Sequence, residues 1–154
     1  YANGQDMEAR FNMHNASALA RMAFTNASLG LVHALAHKIG GEFGVTHGLA
    51  NAILLPTIID FNRKFTRKYE AIEKALGIGD LAEEIRLLNR KLAIPATFRA
   101  CTEVDFSEAK FKEVLDRMSA NAHGDPCTLT NPGKPTVADV KAIYTAAYYG
   151  GSMK

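Results

Sequence analysis

Three histidines within fifteen residues are the feature of this sequence that most directly suggests chemistry. His33 and His37 are four residues apart, and His47 follows a glycine-containing stretch. On an α-helix, a spacing of four places two side chains on one face, about 6 Å apart along the axis. Two imidazoles so placed can share one divalent metal, and His47 can fold back beside them. The spacing predicts a metal or catalytic site, with His33 and His37 as the ligand pair that spacing alone favours.

The other candidate side chains offer weaker chemistry. Ala34 stands where zinc peptidases of the His-Glu-x-x-His type carry their general base, so that class is excluded. His14 is expected to be a helix residue that bonds a neighbouring carbonyl. His123, in a loop beside Gly124, is expected to be exposed. Glu42 would suit either a metal site or a solvated loop.

Bulk composition fits one domain of an ordinary soluble protein. The 154 residues are 47% hydrophobic and 22% charged, and a chain of this length can bury roughly two thirds of its unfolded surface. No apolar run reaches the length of about 18 residues that a membrane span needs, and the polar first ten residues lack the apolar segment of a signal peptide. We therefore expect a cytoplasmic protein without a membrane partner.

Charge and cysteine content exclude two further classes. The net charge is only +2, and the densest basic group, residues 63–68, indicates a solvated helix face rather than a nucleic-acid site. Cys101 and Cys127 are the only cysteines. They cannot form a four-cysteine zinc site, and they are expected to be free thiols in a reducing compartment.

Helical periodicity runs through the whole chain, without strand-like alternation. Gly40-Gly41 is expected to stop the second helix, and Pro56 to kink the third, because proline lacks an N–H and its ring clashes with the preceding turn. Capping residues are expected at Asp80 with Glu83, Asp105 with Glu108, and Thr136. The helices are predicted over about residues 6–26, 31–38, 46–61, 67–76, 81–94, 106–120 and 137–149.

Apolar side chains repeat at helical spacing along these segments and are expected to form the core. The stripe on the first helix is rich in alanine and consists of Met13, Ala16, Ala20, Ala23, Phe24 and Ala27. On the fifth helix the apolar face is Leu81, Ile85, Leu88 and Leu92. The pattern predicts an all-α helical bundle, folded as a single helical domain over residues 1–154.

Longer motifs around the histidines resemble a known family. They are Met13-His14-Asn-Ala-Ser, His33-Ala-x-Ala-His37-x-x-Gly40, His47-Gly-x-x-Asn51-Ala-x-Leu-Leu-Pro56, Asp125-Pro-Cys-Thr-x-Thr-Asn-Pro132 and Tyr148-Tyr-Gly150. Together they cover essentially the whole chain and are similar to motifs of the iron-containing (group III) alcohol dehydrogenases. The resemblance implies the C-terminal, metal-binding helical domain of the iron-containing alcohol dehydrogenase and dehydroquinate synthase-like fold.

The resemblance changes the expected ligand pair. In that family, the histidines that match His33 and His47 bind the catalytic divalent metal, usually Fe²⁺ or Zn²⁺. The histidine that matches His37 faces the nicotinamide and the substrate and helps to relay a proton, a role that a neutral imidazole near the alcohol can perform. The implied activity is the NAD- or NADP-dependent interconversion of a small alcohol and its aldehyde, in an enzyme expected to be a homo-oligomer.

Two departures from the family pattern limit what this chain is expected to do alone. Thr46 stands where the family commonly has proline, which could loosen the turn that carries His47. The family's other metal ligands, an Asp and a His, and its nucleotide-binding α/β domain would precede Tyr1, and the chain has no Gly-x-Gly-x-x-Gly motif. We therefore expect the C-terminal part of such an enzyme, inactive by itself.

Two alternatives remain open from the residues. One is a non-enzymatic helical module that binds metal through His33, His37 and His47, with or without His14. The other is a helical interaction domain whose histidines are structural.

Overall fold

All regular secondary structure in this protein is helical wherever the computed structural model describes the chain, which is at residues 1–151 and 153. Two short 3-10 turns, Phe98–Ala100 and Pro126–Thr130, accompany the α-helices. The α-helices are α1 (Met7–Ala27), α2 (Leu31–Phe43), α3 (His47–Asn62), α4 (Lys68–Leu76), α5 (Leu81–Lys91), α6 (Glu108–His123) and α7 (Val137–Tyr149). The prediction of an all-α fold is confirmed. None of the described helices is long and apolar enough to cross a membrane.

Helix α2 lies at the centre of the core and packs against α3, α6 and the second 3-10 turn. Its residues Leu31, Leu35 and Ile39 are fully buried. The buried hydroxyl of Tyr144 on α7 donates a hydrogen bond to the carbonyl oxygen of Leu35, at 2.8 Å. The helix that carries two of the three clustered histidines is therefore fixed by surrounding elements on several sides.

Most of the predicted helix ends are confirmed. Gly77 ends α4 in the left-handed conformation, and the Asp80 side chain accepts from the backbone N–H of Glu83 at the start of α5. Thr136 begins α7 with a complete capping box, in which Asp139 is the reciprocal partner. The box predicted at Asp105 is wrong: its carboxylate accepts from the N–H of Ser107, the residue that precedes α6.

Helix α2 does not stop at Gly40-Gly41, as the sequence pattern predicts, but continues to Phe43. It ends at Gly44, whose φ of 72° lies in the left-handed region and whose N–H bonds to the carbonyl of Gly40 at 2.8 Å. Each helical glycine costs about 1 kcal/mol relative to alanine. Burial of Phe43, at about 2 kcal/mol for a large apolar side chain, offsets that cost and extends the helix.

Pro56 lies inside α3, which runs without interruption to Asn62. Proline at this position cannot donate the helical hydrogen bond to the carbonyl of Ala52, four residues earlier. The side-chain amide of Asn89 on α5 donates to that carbonyl instead, at 2.8 Å. A neighbouring helix therefore satisfies the acceptor that proline leaves free.

The predicted burial of the α1 stripe is wrong, because α1 contributes no buried residue. Met13 is 71% exposed, and only Phe24 is partly covered. The prediction also fails in part on α5, where Leu88 is 52% exposed. Helical spacing of apolar residues identified these helices correctly, but it does not show whether a neighbour in this chain covers the apolar face.

Candidate functional site

The structure brings the three clustered histidines together. His33 and His37 lie on α2, and His47 is the first residue of α3, so the chain turns back between them. The ring centroids of His33 and His47 are 5.3 Å apart, and those of His33 and His37 are 6.1 Å apart. The rings of His37 and His47 are stacked at 5.6 Å with an interplanar angle of 16°. The expected return of His47 to the side of α2 is confirmed.

The turn of residues 44–46 positions His47. Val45 is buried and anchors the turn in the core, while Gly44 provides the left-handed backbone that ends α2. Thr46 has a φ of −56°, within the range that proline would impose. Its hydroxyl donates to a carboxylate oxygen of Glu103 at 3.2 Å. The turn therefore keeps a proline-like backbone, and the Thr46 side chain adds an anchor where loosening was expected.

The electrostatic surroundings favour the neutral form of His33. Partial burial lowers its pKa, and the nearby His47 and His37 rings lower it further because two imidazolium ions would repel one another. A neutral imidazole has a free lone pair, which is the form that binds a metal. His33 and His47 thus offer two adjacent nitrogen donors of the type that Fe²⁺ and Zn²⁺ accept, which fits part of a metal shell.

Asp125 joins the cluster from the loop after α6, a contribution that the spacing argument missed. Its Oδ2 lies 2.8 Å from the Lys38 ammonium and 3.5 Å from Nδ1 of His37. Its Oδ1 accepts the backbone N–H of Cys127 at 2.9 Å. The Asp125-Pro-Cys motif is the signal in the sequence that marks this residue, but the motif alone does not indicate a contact with His37.

Asp125 is ionised although it is buried. Burial by itself raises the pKa of this carboxyl group. The hydrogen bonds from Lys38 and from Cys127 outweigh burial and hold the pKa well below its usual range. Burial and the adjacent carboxylate raise the pKa of the Cys127 thiol, which favours its protonated form.

His37, Asp125 and Cys127 are the one group of three potential ligand side chains that the described part of the chain brings within 4.8 Å of one another. In this group the Lys38 ammonium already neutralises the Asp125 carboxylate, and the same ammonium would repel a bound dication. This arrangement favours a hydrogen-bonded cluster over a cation site.

The remaining candidate side chains lie outside the histidine cluster or have other partners. His14 is exposed on α1, and His123 is exposed as expected, although it ends α6 rather than lying in a loop. Glu42 pairs with Arg117 at 2.7 Å. Both cysteines are free, as predicted, with Cys101 buried and Cys127 partly buried.

The fold and the site together define an all-helical domain in which three imidazoles are grouped at the junction of α2 and α3. The family model described as "Fe-containing alcohol dehydrogenase family, C-terminal" matches residues 1–148 of the chain. The chain belongs to this family.

Individual relatives agree with this assignment. The chain is 41% identical to the NADPH-dependent butanol dehydrogenase of Clostridium saccharobutylicum, with 94% of this chain and 39% of the relative covered. It is 34% identical to the bifunctional aldehyde-alcohol dehydrogenase of Escherichia coli, with 92% of this chain and 19% of the relative covered. The chain therefore spans about two fifths or less of these curated relatives.

Solved structures show the same fold. The iron-containing alcohol dehydrogenase of Thermococcus thioreducens superposes with a TM-score of 0.84 at 33% identity, covering 95% of this chain and 39% of that one. A 1,3-propanediol oxidoreductase superposes with a TM-score of 0.80 at 32% identity, covering 96% and 40%.

Proposed function

We propose that this chain forms the metal-binding helical domain of an NAD- or NADP-dependent alcohol dehydrogenase, as one domain over residues 1–154. His33 and His47 are the proposed ligands of a divalent metal, Fe²⁺ or Zn²⁺, and His37 is the proposed proton-relay residue. The observation that carries the proposal is the close approach of the His33 and His47 rings, with His37 stacked on His47. Family membership supports the assignment of roles.

Each residue has a distinct chemical task in this proposal. His33, held neutral by burial and by its imidazole neighbours, keeps a lone pair available for the metal. His47 adds a second donor from the start of α3. With the metal as Lewis acid and NAD(P)⁺ as hydride acceptor, an alcohol becomes its aldehyde. His37 accepts the hydroxyl proton on a ring nitrogen and passes it towards solvent, to which its side chain is 40% exposed.

The proposed substrate is a small alcohol or its aldehyde. Relatives bear the names butanol dehydrogenase and 1,3-propanediol oxidoreductase, which agrees with a small apolar or diol substrate. We propose a cytoplasmic homo-oligomer without nucleic-acid or membrane partners. Further ligands, an Asp and a His, and the nucleotide site are proposed to come from a part of the enzyme outside these 154 residues. The chain alone should therefore oxidise neither ethanol, butanol nor propanediol.

Calorimetric titration with Zn²⁺ tests the ligand assignment. Two neutral imidazoles supply no charge to balance a dication, so wild-type binding should be weak, with Zn²⁺ bound more tightly than Fe²⁺. The affinity should fall as acid protonates the imidazoles, because a protonated imidazole cannot bind metal, and the lowered pKa of His33 moves its protonation below the ordinary value of about 6.5. His33→Ala and His47→Ala should each abolish binding, while His37→Ala should weaken it less.

His14→Ala and His123→Ala are matched controls, because both side chains are exposed, and they should bind Zn²⁺ like wild type. If His37→Ala is the most damaging variant, the helical pair His33 and His37 is the real site and the proposed ligand assignment is wrong.

A further inference from the structure

The Asp125 carboxylate lies between a fixed cation and the proposed proton-relay histidine. Oδ2 is 2.8 Å from the Lys38 ammonium, and the same oxygen is 3.5 Å from Nδ1 of His37. The other oxygen accepts the Cys127 N–H, which fixes the orientation of the carboxylate plane. Asp125 also begins the 3-10 turn of residues 126–130. Both its position and its rotation are thus determined by contacts that do not involve His37.

An ionised carboxylate can only accept hydrogen bonds. A neutral imidazole carries one proton, on either Nδ1 or Nε2, and the partner of one nitrogen decides which of them is protonated. A neutral His37 can bond to Asp125 only with the proton on Nδ1. The 3.5 Å separation is long, as the hydrogen bonds of reactive groups often are before a substrate is bound.

We infer that Asp125 is a positioning residue for His37: its buried carboxylate selects the tautomer protonated on Nδ1 and leaves Nε2 as the unprotonated nitrogen. The functional meaning rests on the proposed relay role of His37, because Nε2 would then be the atom that accepts the proton of the alcohol. The tautomer itself is a property of the metal-free chain and can be measured without any activity.

Lys38 has a supporting part in this arrangement. It is the residue after His37 on α2, and its ammonium bonds to the same carboxylate oxygen. A carboxylate next to His37 without a compensating cation would be costly to bury. Lys38 therefore balances the charge of Asp125, together with the N–H of Cys127, while Asp125 and not Lys38 contacts Nδ1 of His37. This division of roles separates the expected effects of substitutions at the two positions.

Long-range ¹H–¹⁵N correlation spectra of the uniformly ¹⁵N-labelled chain, freed of metal by a chelator, measure the tautomer. The spectra are recorded at about pH 8, where histidine is ordinarily neutral. The His37 signals are assigned by their absence in His37→Gln. In wild type, Nδ1 should show the shift of a protonated nitrogen and Nε2 that of an unprotonated one. Because hydrogen bonds to charged groups are strong, we expect the tautomer protonated on Nδ1 to exceed the other by about tenfold or more.

Asp125→Asn should remove this preference, because an amide can either donate to or accept from Nδ1. Lys38→Gln is the matched control: it removes the ion pair, keeps the carboxylate and should retain the tautomer. Circular dichroism checks that each variant is folded. If Asp125→Asn does not fold, the wild-type spectrum still decides the question.

A wild-type His37 protonated on Nε2, or an even mixture, would overturn the inference. An unchanged tautomer in folded Asp125→Asn, or the same loss in Lys38→Gln as in Asp125→Asn, would also overturn it. The Zn²⁺ titration reports separately on His33 and His47. A failed ligand assignment with an intact tautomer preference is therefore distinguishable from the reverse result.

Discussion

Asn62 and Asn131 exchange side-chain hydrogen bonds in the buried interior, with Nδ2 to Oδ1 distances of 3.0 and 2.8 Å in the two directions. Asn62 is the last residue of α3, and Asn131 follows the second 3-10 turn. Oδ1 of Asn131 also accepts the N–H of Leu31, at 3.4 Å, where Gly30 offers α2 no side-chain cap. This amide pair therefore connects the end of α3, the loop that precedes α7 and the start of α2, the helix that carries His33.

Asn62→Ala and Asn131→Ala should each destabilise the fold by about 1–3 kcal/mol, because each leaves a buried amide without its partner. Replacing both should cost less than the sum of the single changes, since the second truncation removes the orphaned group. Urea unfolding of the four-member cycle measures this difference. Asn26→Ala is the control, because that amide bonds to Met22 on the exposed surface of α1. Strict additivity would contradict a coupled pair.

Asn89→Ala should reduce stability by about 1–2 kcal/mol, since it leaves the Ala52 carbonyl without a donor beside Pro56. The thermal midpoint should fall by roughly 2–8 °C for a chain of this size. Asn121→Ala, at an exposed position of α6, is the matched control. Equal midpoints for the two variants would show that solvent satisfies the Ala52 carbonyl.

Two glycines at the end of α2 should respond in opposite directions to alanine. Gly41 is inside the helix, and a Cβ added there meets no atom within 4 Å. Gly41→Ala should therefore stabilise the chain by about 0.5–1 kcal/mol. Gly44 has a φ of 72°, which strains any residue with a Cβ, so Gly44→Ala should destabilise by a similar or larger amount. Chemical unfolding of both variants is the test, and destabilisation by both would contradict the helical assignment of Gly41.

The Thr136–Asp139 capping box should make the stability of α7 depend on pH. Hydrogen bonds from the Thr136 side chain and backbone lower the pKa of Asp139 in the folded protein. A carboxyl group with a depressed folded pKa contributes stability above its unfolded pKa of about 4 and loses it as pH falls through the folded value. Asp139→Asn should thus be less stable than wild type by about 0.5–1 kcal/mol at neutral pH.

The difference between Asp139→Asn and wild type should shrink as pH falls from about 5 to about 3. Urea unfolding across this interval measures it. Glu113→Gln, on the exposed surface of α6, provides the control. A constant difference at all pH values would mean that the Asp139 carboxylate is not the stabilising form.

Amide hydrogens of α1 should exchange much faster than those of α2 and α7. A helix without buried residues has only its local propensity to stabilise it, whereas α2 opens only when the core does. Hydrogen exchange followed by mass spectrometry should show at least about a hundredfold difference in protection between α1 and α2. If the amide hydrogens of α1 and α2 were equally protected at every protein concentration measured, this expectation would be contradicted.

Local patterns predicted the helices well, because capping and spacing act over a few residues. The start of α7 at Thr136, the end of α4 at Gly77 and the return of His47 to α2 all follow from such signals. At the end of α2, tertiary packing outweighs the local signal of the two glycines. The burial of Phe43 stabilises the extension of the helix beyond Gly40 and Gly41.

The contacts that spacing could not predict join residues far apart in the sequence. Asp125 lies 88 positions from His37, and Asn131 lies 69 positions from Asn62. No periodicity links such residues. Similarly, the apolar stripe of α1 has the same spacing as a buried one, and only the absence of a covering element in the described chain distinguishes it.

The hydrogen bond between Asn131 and the start of α2 can form only late in the synthesis of the chain. Leu31 and Asn131 are separated by 100 residues, which takes about 5–20 s to translate at typical ribosomal rates. For that interval α2 leaves the ribosome without its partners in α6, α7 and the loop that follows α6. Early in that interval its apolar side chains Leu31, Leu35 and Ile39 can pack only against α3. The first helix of the core is therefore the last to be fully covered, and nascent chains should need protection from aggregation until α7 has emerged.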